Sequence, residues 1–448
     1  MSGTKTKDGT ARGLKVCQMA KAAGLLLMSL WAVAFYGLIY VQWQAGQVFK
    51  APKIGFIDFV YFYAASLATK RWGGSSSAYD ADRFYLCVAE AMAPERLAGR
   101  YAFEYPPIVL PLLRPLAELS LSDAYAAWVS LGILSLGAAL CAICRSYGPG
   151  TFSRSFLVIG TLASFPVWLA ARCGQSTLFL TAAAVYAWLR LRQGRHFLSG
   201  AVAAVTLIKI QFAPTLIVAG LALGGLRFLS GLACALIPLV AAALVTAGPD
   251  CFASFVHTVA ATETSTHAYT HLVPERMQNL RGQLFVITGA DTQANRTATS
   301  LAFILAVLAT VMLWLRIYPR QQQLPPGIPL FELAAAISCL VLLVFSPHAY
   351  IYDYCILVIV CPFLWVWATA SQKNFGHRLS TSLLRWLLIG FPALSWPFGL
   401  YSPLLERAGV ESFFVWAVVA LALALDQLRL VWALTAPGQA EAICRHGN

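Results

Sequence analysis

The segment FLSGAVAAVTLIKIQFAPTLIVAGLALGGLR, residues 197–227, decides how this chain is arranged. It is apolar enough to enter a membrane, yet Lys209 and Gln211 stand in its middle. A single span would separate Arg227 from the basic segment RLRQGRH, residues 190–196, although basic residues gather on the cytoplasmic side of a membrane. We therefore predict a broken, re-entrant element with Lys209 near its apex, a kind of break that lines a cavity.

The composition predicts a membrane protein. Of the 448 residues, 59% are hydrophobic and 11% are charged, whereas a soluble domain has about 25% charged residues. Long apolar runs recur along the whole chain, and they are continuous rather than alternating, which favours helices over a barrel. The predicted fold class is an all-α polytopic membrane protein with about 10–12 transmembrane or re-entrant helices.

The distribution of Lys and Arg predicts a cytoplasmic N-terminus (1–21), one integral membrane domain (22–434) and a cytoplasmic tail (435–448). Two long loops, 42–123 and 250–299, are predicted to be extracytoplasmic. The spans besides the broken element are predicted at about 22–41, 124–144, 155–171, 177–189, Arg227 to Asp250, 301–318, 330–345, 350–368, 383–401 and 413–434.

The net charge of +13 does not indicate nucleic-acid binding, because the basic residues lie in short loops and form no compact basic module. The 11 cysteines lie mostly in apolar runs, and no Cys or Cys/His spacing is typical of a zinc site. Cys87 and Cys251 fall in the predicted external loops, and the sequence leaves open whether they pair.

In IGFIDFVYFYAA, residues 54–65, Asp58 is a lone carboxylate beside an apolar run. A carboxylate at a membrane boundary is costly unless it is solvated or paired, so it is a functional candidate, here as a general base. The alternative is an N-cap for the helix that follows. Asp80 and Asp82 form a D-x-D pair, which is explained equally well by a turn and helix cap as by a metal site.

Further candidates precede the re-entrant element. FEYPPIVLPLLRPLAEL, residues 103–119, is a Pro-punctuated element that we expect in or near the external interface, with Glu104 as a second acid/base candidate. Arg172, in ARCGQSTLF, is either a phosphate contact or a snorkelling side chain. Lys209 requires a partner, which is either a bound anion or a structural acid.

Two more external segments are rich in polar side chains. The loop at 257–283 is expected to present substrate-contacting groups, namely His257, His267, His271, Arg276, Asn279, Arg281 and Gln283. FSPHAYIYDY, residues 345–354, places His348 at a tight turn together with three tyrosines and Asp353. On the predicted topology these groups converge on one membrane face with Asp58.

The order of these blocks resembles glycosyltransferase family 87, from about residue 20 to residue 370. The resemblance is carried by Asp58 with its aromatic neighbours, the Tyr-Pro-Pro of 105–107, the Gly-Gln of 174–175, the Lys-x-Gln of 209–211 and the turn around His348. It implies a GT-C fold with an extracytoplasmic active site and a donor sugar carried on polyprenyl phosphate. The catalytic residues it implies are Asp58, as general base, and His348, which would help to hold the acceptor or shape the pocket.

Under this resemblance the enzyme is an inverting hexosyltransferase, mannose being the first expectation, that needs no metal or other cofactor. A lipid or glycan is the acceptor, and the location is a bacterial inner membrane with the site facing the periplasm or exterior. The expected substrate-binding residues are Glu104, Tyr105, Arg172, Gln175, Lys209, Gln211, Arg276, Asn279, Arg281 and Tyr354. The rival interpretations are a transporter or lipid flippase, to which a broken helix is also suited, and an envelope scaffold.

Overall fold

The computed structural model describes residues 5–44, 58–73, 77–93, 101–147, 154–264, 274–321, 328–375 and 378–434. Within these ranges the chain forms α-helices joined by short 3-10 turns, and no β-strand. The helices are α1 (Lys5–Gln44), α2 (Phe59–Trp72), α3 (Ala81–Met92), α4 (Leu110–Leu113), α5 (Leu121–Tyr147), α6 (Arg154–Leu162), α7 (Phe165–Cys173), α8 (Thr177–Arg192), α9 (His196–Ala203), α10 (Pro214–Ala247), α11 (Cys251–Thr264), α12 (Leu280–Thr288), α13 (Gln293–Gln321), α14 (Leu330–Phe345), α15 (Leu357–Phe375), α16 (Leu379–Leu400), α17 (Ser402–Arg407) and α18 (Ser412–Leu434).

Seven of the described helices are long and apolar enough to cross a membrane, and the bent pair α6–α7, which meets at 49°, would make an eighth. The predicted all-α polytopic membrane fold is therefore confirmed. Two predicted spans, 177–189 and 330–345, correspond to α8 and α14, which have only 16 residues each and are shorter than the roughly 20 residues that cross a bilayer. Most residues of α8 and nearly all residues of α14 are buried, so these two helices form the centre of the bundle.

The segment around Gly225 explains how the re-entrant element is built. Inside α10, Gly225 has φ 50° and ψ −130°, which breaks the helix. A Cβ on Gly220 would collide with the ring of Phe228, although eight residues of a straight helix would separate them by about 12 Å. The chain therefore doubles back at Gly225.

The other end of this element reverses at Lys209. A Cβ added to Gly224 would meet His196, and a Cβ added to Gly200 would meet the Phe228 carbonyl. The start of α9 therefore lies beside the bend of α10. From the bend at Gly225 the structure can be followed backwards: the part of α10 that precedes Gly225 runs antiparallel to α9, and Lys209 lies between them. Lys209 stands at the tip in extended conformation, with φ −126° and ψ 91°. The predicted hairpin with Lys209 at its apex is confirmed.

The predicted first loop, 42–123, is largely packed helix where the structure describes it. Every residue from Phe59 to Ala65 is buried in the first two turns of α2. The chain then begins a 3-10 turn at Pro107, which continues into α4, as the Pro-Pro pair predicts. The described part of this loop is therefore packed into the fold rather than extended into solvent.

Charged side chains are buried at two ends of the bundle. The Asp58 end holds the half-buried Asp58 and His348 with the buried Gln175, Lys209 and Asp353, whose individual contacts are described below. At the opposite end of α8, the Arg192 clamp consists of Arg192, Glu332 and Tyr147: Arg192 Nε lies 2.5 Å from Glu332 Oε1, to which the Tyr147 hydroxyl also donates at 3.2 Å. The 16 residues of α8 separate the two ends by about 24 Å.

Candidate active site

A tight turn brings Gln175 to Asp58. Helix α7 ends at Gly174, whose φ of +64° lies in the left-handed region that favours glycine. A Cβ at Gly174 would lie 2.6 Å from Cβ of Phe59, the residue that follows Asp58. Glycine therefore permits both the backbone conformation and the close approach of α7 to α2, and it places the buried Gln175 beside the Asp58 carboxylate.

The Asp58 carboxylate accepts a hydrogen bond from Nε2 of Gln175. Asp58 precedes the first residue of α2, but its side chain makes no capping hydrogen bond to that helix. The helix-cap alternative for Asp58 is therefore wrong. The Tyr105 hydroxyl donates to Oε1 of Gln175 at 3.3 Å, and the Tyr79 hydroxyl donates to the Tyr105 carbonyl at 2.7 Å. A tyrosine–glutamine–carboxylate chain thus ends at Asp58.

Two tyrosines outside the membrane-spanning helices, the half-buried Tyr105 and the buried Tyr61, lie near the Asp58 carboxylate. Burial raises the pKa of Tyr105, and the nearby Asp58 carboxylate raises it further. Burial likewise raises the pKa of Tyr61, with further contributions from Asp58 and from the half-buried Glu104. The carboxylates of Asp58 and Glu104 therefore lie near the same two phenols.

The hairpin tip contacts a second carboxylate. Lys209 forms a buried ion pair with Asp353, whose oxygens also accept from the Thr177 hydroxyl at 3.1 Å and from the Tyr350 amide at 3.1 Å. The Lys209 ammonium further lies 4.8 Å from the centre of the Tyr352 ring. Of the two alternatives for Lys209, the structure shows the ion pair with a structural acid.

His348 is held by its backbone and by its ring. Its carbonyl accepts from Gln211 Nε2 at 3.1 Å and from the Ser346 hydroxyl at 3.0 Å. Its ring Nε2 contacts the carboxylate of Glu263, near the end of α11. Burial alone would raise the pKa of Glu263, but the hydrogen bond and charge of His348, with the charge of Arg281, lower it to about 2. Glu263 therefore stays ionised at neutral pH.

Three of the predicted substrate contacts are engaged with the protein itself. Arg281 is buried between Glu263, at 3.1 Å, and Asp291, at 2.8 Å. Asn279 caps α12 and donates to the Ser346 carbonyl at 2.8 Å. The buried Tyr354 hydroxyl donates to the Gln278 carbonyl at 2.6 Å. In this conformation these contacts hold the turn that carries His348.

The remaining candidates are distributed around this centre. Arg172 is buried in the last turn of α7, so it does not snorkel to the surface. Arg276 is exposed in the 3-10 turn Pro274–Arg276. His257 is exposed on α11, where it lines a cavity of about 330 Å³ together with Asp80 and Asp82. His267 and His271 lie outside the described residues.

The D-x-D pair has a local explanation. Asp80 caps α3 by accepting from the backbone amides of Asp82, at 3.1 Å, and Arg83, at 3.0 Å. Throughout the described ranges no three His, Cys, Asp or Glu side chains lie close enough together to hold a metal ion. Cys87 and Cys251 are both buried free thiols, so they form no disulfide with each other.

Two acidic residues in this region were missed as site residues from the sequence. Asp353 was noted only as part of the turn, although a lysine in an apolar run demands an acid, and Asp353 stands beside another apolar run. Glu263 gave no local signal, because it sits in the Thr-rich stretch ATETST, residues 261–266. Its contact with His348 arises from packing between segments about 85 residues apart.

Comparison with known families identifies the class of protein. The family model of glycosyltransferase family 87 matches residues 103–347, more than half of the chain. The chain therefore belongs to glycosyltransferase family 87, and the resemblance predicted from its sequence blocks is confirmed. The match includes Gln175 and Lys209, whereas Asp58 and His348 lie outside it. No curated protein and no solved structure matches the chain.

Proposed function

We propose that this glycosyltransferase moves a hexose, with mannose as the first candidate, from a polyprenyl-phosphate donor to a lipid or glycan acceptor with inversion of the anomeric centre. The Asp58 end would form the active site of a GT-C-type enzyme and face the periplasm or exterior of a bacterial inner membrane. The observation that carries the proposal is the Asp58 carboxylate, which caps no helix and is held by a neutral amide in a tyrosine-lined cluster.

The proposed reaction needs a base for the acceptor hydroxyl. Asp58 would take that proton as the hydroxyl oxygen attacks the anomeric carbon, and the bond to the donor phosphate would break on the opposite face. A carboxylate whose hydrogen-bond donor is neutral keeps its charge uncompensated by that donor, which suits a base. Asp353 instead accepts from a charged donor, Lys209.

The leaving phosphate needs positive charge. Among the cations expected from the sequence, Arg281 is already held between two carboxylates. Arg172, Arg276 and the ammonium of Lys209 are the cations we assign to the donor phosphate. Lys209 donates one of its three hydrogens to Asp353, and an ammonium has two more. We assign no step to a metal ion.

Sugar transfer by the purified protein tests this proposal. The protein would receive radiolabelled polyprenyl-phosphate mannose and a membrane lipid extract, with and without EDTA. We expect a new labelled product that resists EDTA, and a loss of about 10²–10⁴-fold in Asp58→Asn, the range that a general base contributes. Asp123→Asn, an exposed carboxylate at the start of α5, is the matched control and should transfer normally.

The possible outcomes test the enzyme class and the role of Asp58 separately. Full activity in a folded Asp58→Asn protein would show that Asp58 is not the base. If mannose gave no product, other polyprenyl-phosphate sugars would be supplied in turn. Failure with all of them, together with movement of labelled lipid across proteoliposome membranes, would replace the transferase proposal by a lipid transporter.

A further inference from the structure

The neighbours of the Asp58 carboxylate carry an inference about Gln175, which the sequence marked only as a substrate contact. Its Nε2 donates to Asp58 Oδ2. Its own Oε1 accepts from the Tyr105 hydroxyl at 3.3 Å. Gln175 is 3% exposed, so both of its polar atoms are used inside the protein. Resting on the proposed function, we propose that Gln175 is a positioning residue that orients Asp58 and favours its ionised, base-competent form.

The direction of the amide is fixed by its surroundings. An amide has a donor end and an acceptor end, and a carboxylate can use only the donor. With NH₂ on Asp58, the oxygen is left to face Tyr105, whose hydroxyl can donate to it. Tyr105 is itself anchored, because its carbonyl accepts from Tyr79 at 2.7 Å. The hydrogen-bonded chain Tyr79–Tyr105–Gln175 is therefore anchored at Tyr79 and orients the Asp58 carboxylate at its other end.

The backbone gives Gln175 little freedom to do anything else. The backbone N–H of Gln175 donates to the Ala170 carbonyl at 2.8 Å, and this hydrogen bond closes the end of α7. Gly174 immediately before it lies against Phe59, so the turn cannot move away from α2 without opening a packed contact. A side chain locked in this way holds a catalytic group to the precision that proton transfer requires.

The chemical consequence follows from the neutrality of the amide. A hydrogen bond to the charged form of a carboxylate lowers its pKa, so Asp58 would remain ionised to lower pH with Gln175 than without it. A lysine in this place would do the same but would compensate the negative charge, as Lys209 does for Asp353. Gln175 thus orients the base and leaves it attractive to a proton from the acceptor.

The test is the pH dependence of transfer by Gln175→Leu, with polyprenyl-phosphate mannose and the membrane lipid extract as substrates. A hydrogen bond to a charged group is worth about one to two pH units. We therefore expect the acid limb of kcat/KM to move up by about one pH unit, because Asp58 takes up its proton earlier. At pH values above the acid limb, kcat of Gln175→Leu should remain about 10-fold or more below that of the wild type. This difference measures the lost orientation of Asp58.

Two further variants keep the test decisive. Tyr105→Phe removes the anchor but retains the amide, and it should shift the limb in the same direction by a smaller amount. It also serves if Gln175→Leu fails to fold in detergent. Gln293→Leu, an exposed glutamine at the start of α13, is the control and should match the wild type.

The result that overturns the inference is an acid limb that superimposes on that of the wild type in folded Gln175→Leu and Tyr105→Phe. If Asp58→Asn were inactive in the same assay, the general-base proposal would survive that result and only the role of Gln175 would fall. If Asp58→Asn were active, the proposed base would fall first, and the role of Gln175 with it.

Discussion

The Asp58 end and the Arg192 clamp both contain carboxylates, but the groups that donate hydrogen bonds to these carboxylates differ. In the clamp, Glu332 is matched by one cation, Arg192, and by the Tyr147 hydroxyl, while the Arg192 guanidinium also lies 4.7 Å from the centre of the Tyr147 ring. The three groups satisfy one another. At the Asp58 end, the Lys209–Asp353 pair resembles the clamp, whereas Asp58 itself accepts from the neutral Gln175.

The comparison shows that a buried charge is not by itself evidence of a site. A carboxylate matched by a cation contributes to the arrangement of the helices, at a desolvation cost that the partner offsets. A hydrogen bond from a neutral donor adds no opposing charge to a carboxylate. The comparison therefore distinguishes the proposed base, Asp58, from the Arg192 clamp, to which we assign a structural role.

The largest expected effect comes from removing one partner of a buried ion pair. Lys209→Met would leave Asp353 buried without its cation, and this costs about 3–5 kcal/mol of stability. Arg192→Met should cost less, about 1–3 kcal/mol, because a third of the Arg192 side chain is exposed. Thermal unfolding in detergent measures both losses.

Activity per folded molecule distinguishes the two ends in the same variants. Lys209→Met should lose sugar transfer, since it removes a cation from the proposed site and loosens the hairpin tip. Arg192→Met should keep transfer near the wild-type level. Pairing Lys209→Met with Asp353→Asn should recover much of the stability without the activity. Equal losses of transfer at both ends would show that the contrast between them is false.

Glu263 offers a smaller effect with a defined pH dependence. Glu263→Gln should reduce stability by about 1.5–3 kcal/mol at neutral pH, because it replaces a charged partner of His348 and Arg281. Transfer should fall about 10-fold through the loss of His348 orientation.

The sign of the Glu263 effect with pH is fixed by its low pKa. The folded-state pKa is about 2, against an ordinary value of 4.5, so its contribution is present above pH 4.5 and disappears as the pH falls towards 2. The gap in unfolding temperature between the wild type and Glu263→Gln should narrow over that window. A gap independent of pH would contradict the assigned ionic contacts.

The smallest expected effect concerns the D-x-D pair. Asp80→Ala should cost about 1 kcal/mol by removing the cap of α3, while the exposed Asp82→Ala should change stability little. Both variants should transfer sugar normally, which the labelled-product assay measures beside unfolding temperatures. Loss of transfer in both, with inhibition by EDTA, would restore the metal interpretation of this pair.

Much of the fold could be predicted from local pattern. The hairpin around Lys209 followed from charge placement, since Arg227 must share a side with the basic residues before it. The burial of the short helices α8 and α14 was less predictable than their positions, because the length of an apolar run gives no information on whether other helices surround it. The ring partner of His348 was beyond prediction, because Glu263 gave no local signal.

The sequence by itself determined that this protein is a polytopic helical membrane protein, since long apolar runs and scarce charges have no other stable arrangement. It also supplied the blocks that mark the family, confirmed over residues 103–347. Only the tertiary structure decided which polar groups meet. It paired Lys209 with Asp353, His348 with Glu263 and Asp58 with Gln175. Hydrogen bonds act over about 3 Å, and residues 85 or more positions apart reach that distance only when the helices pack.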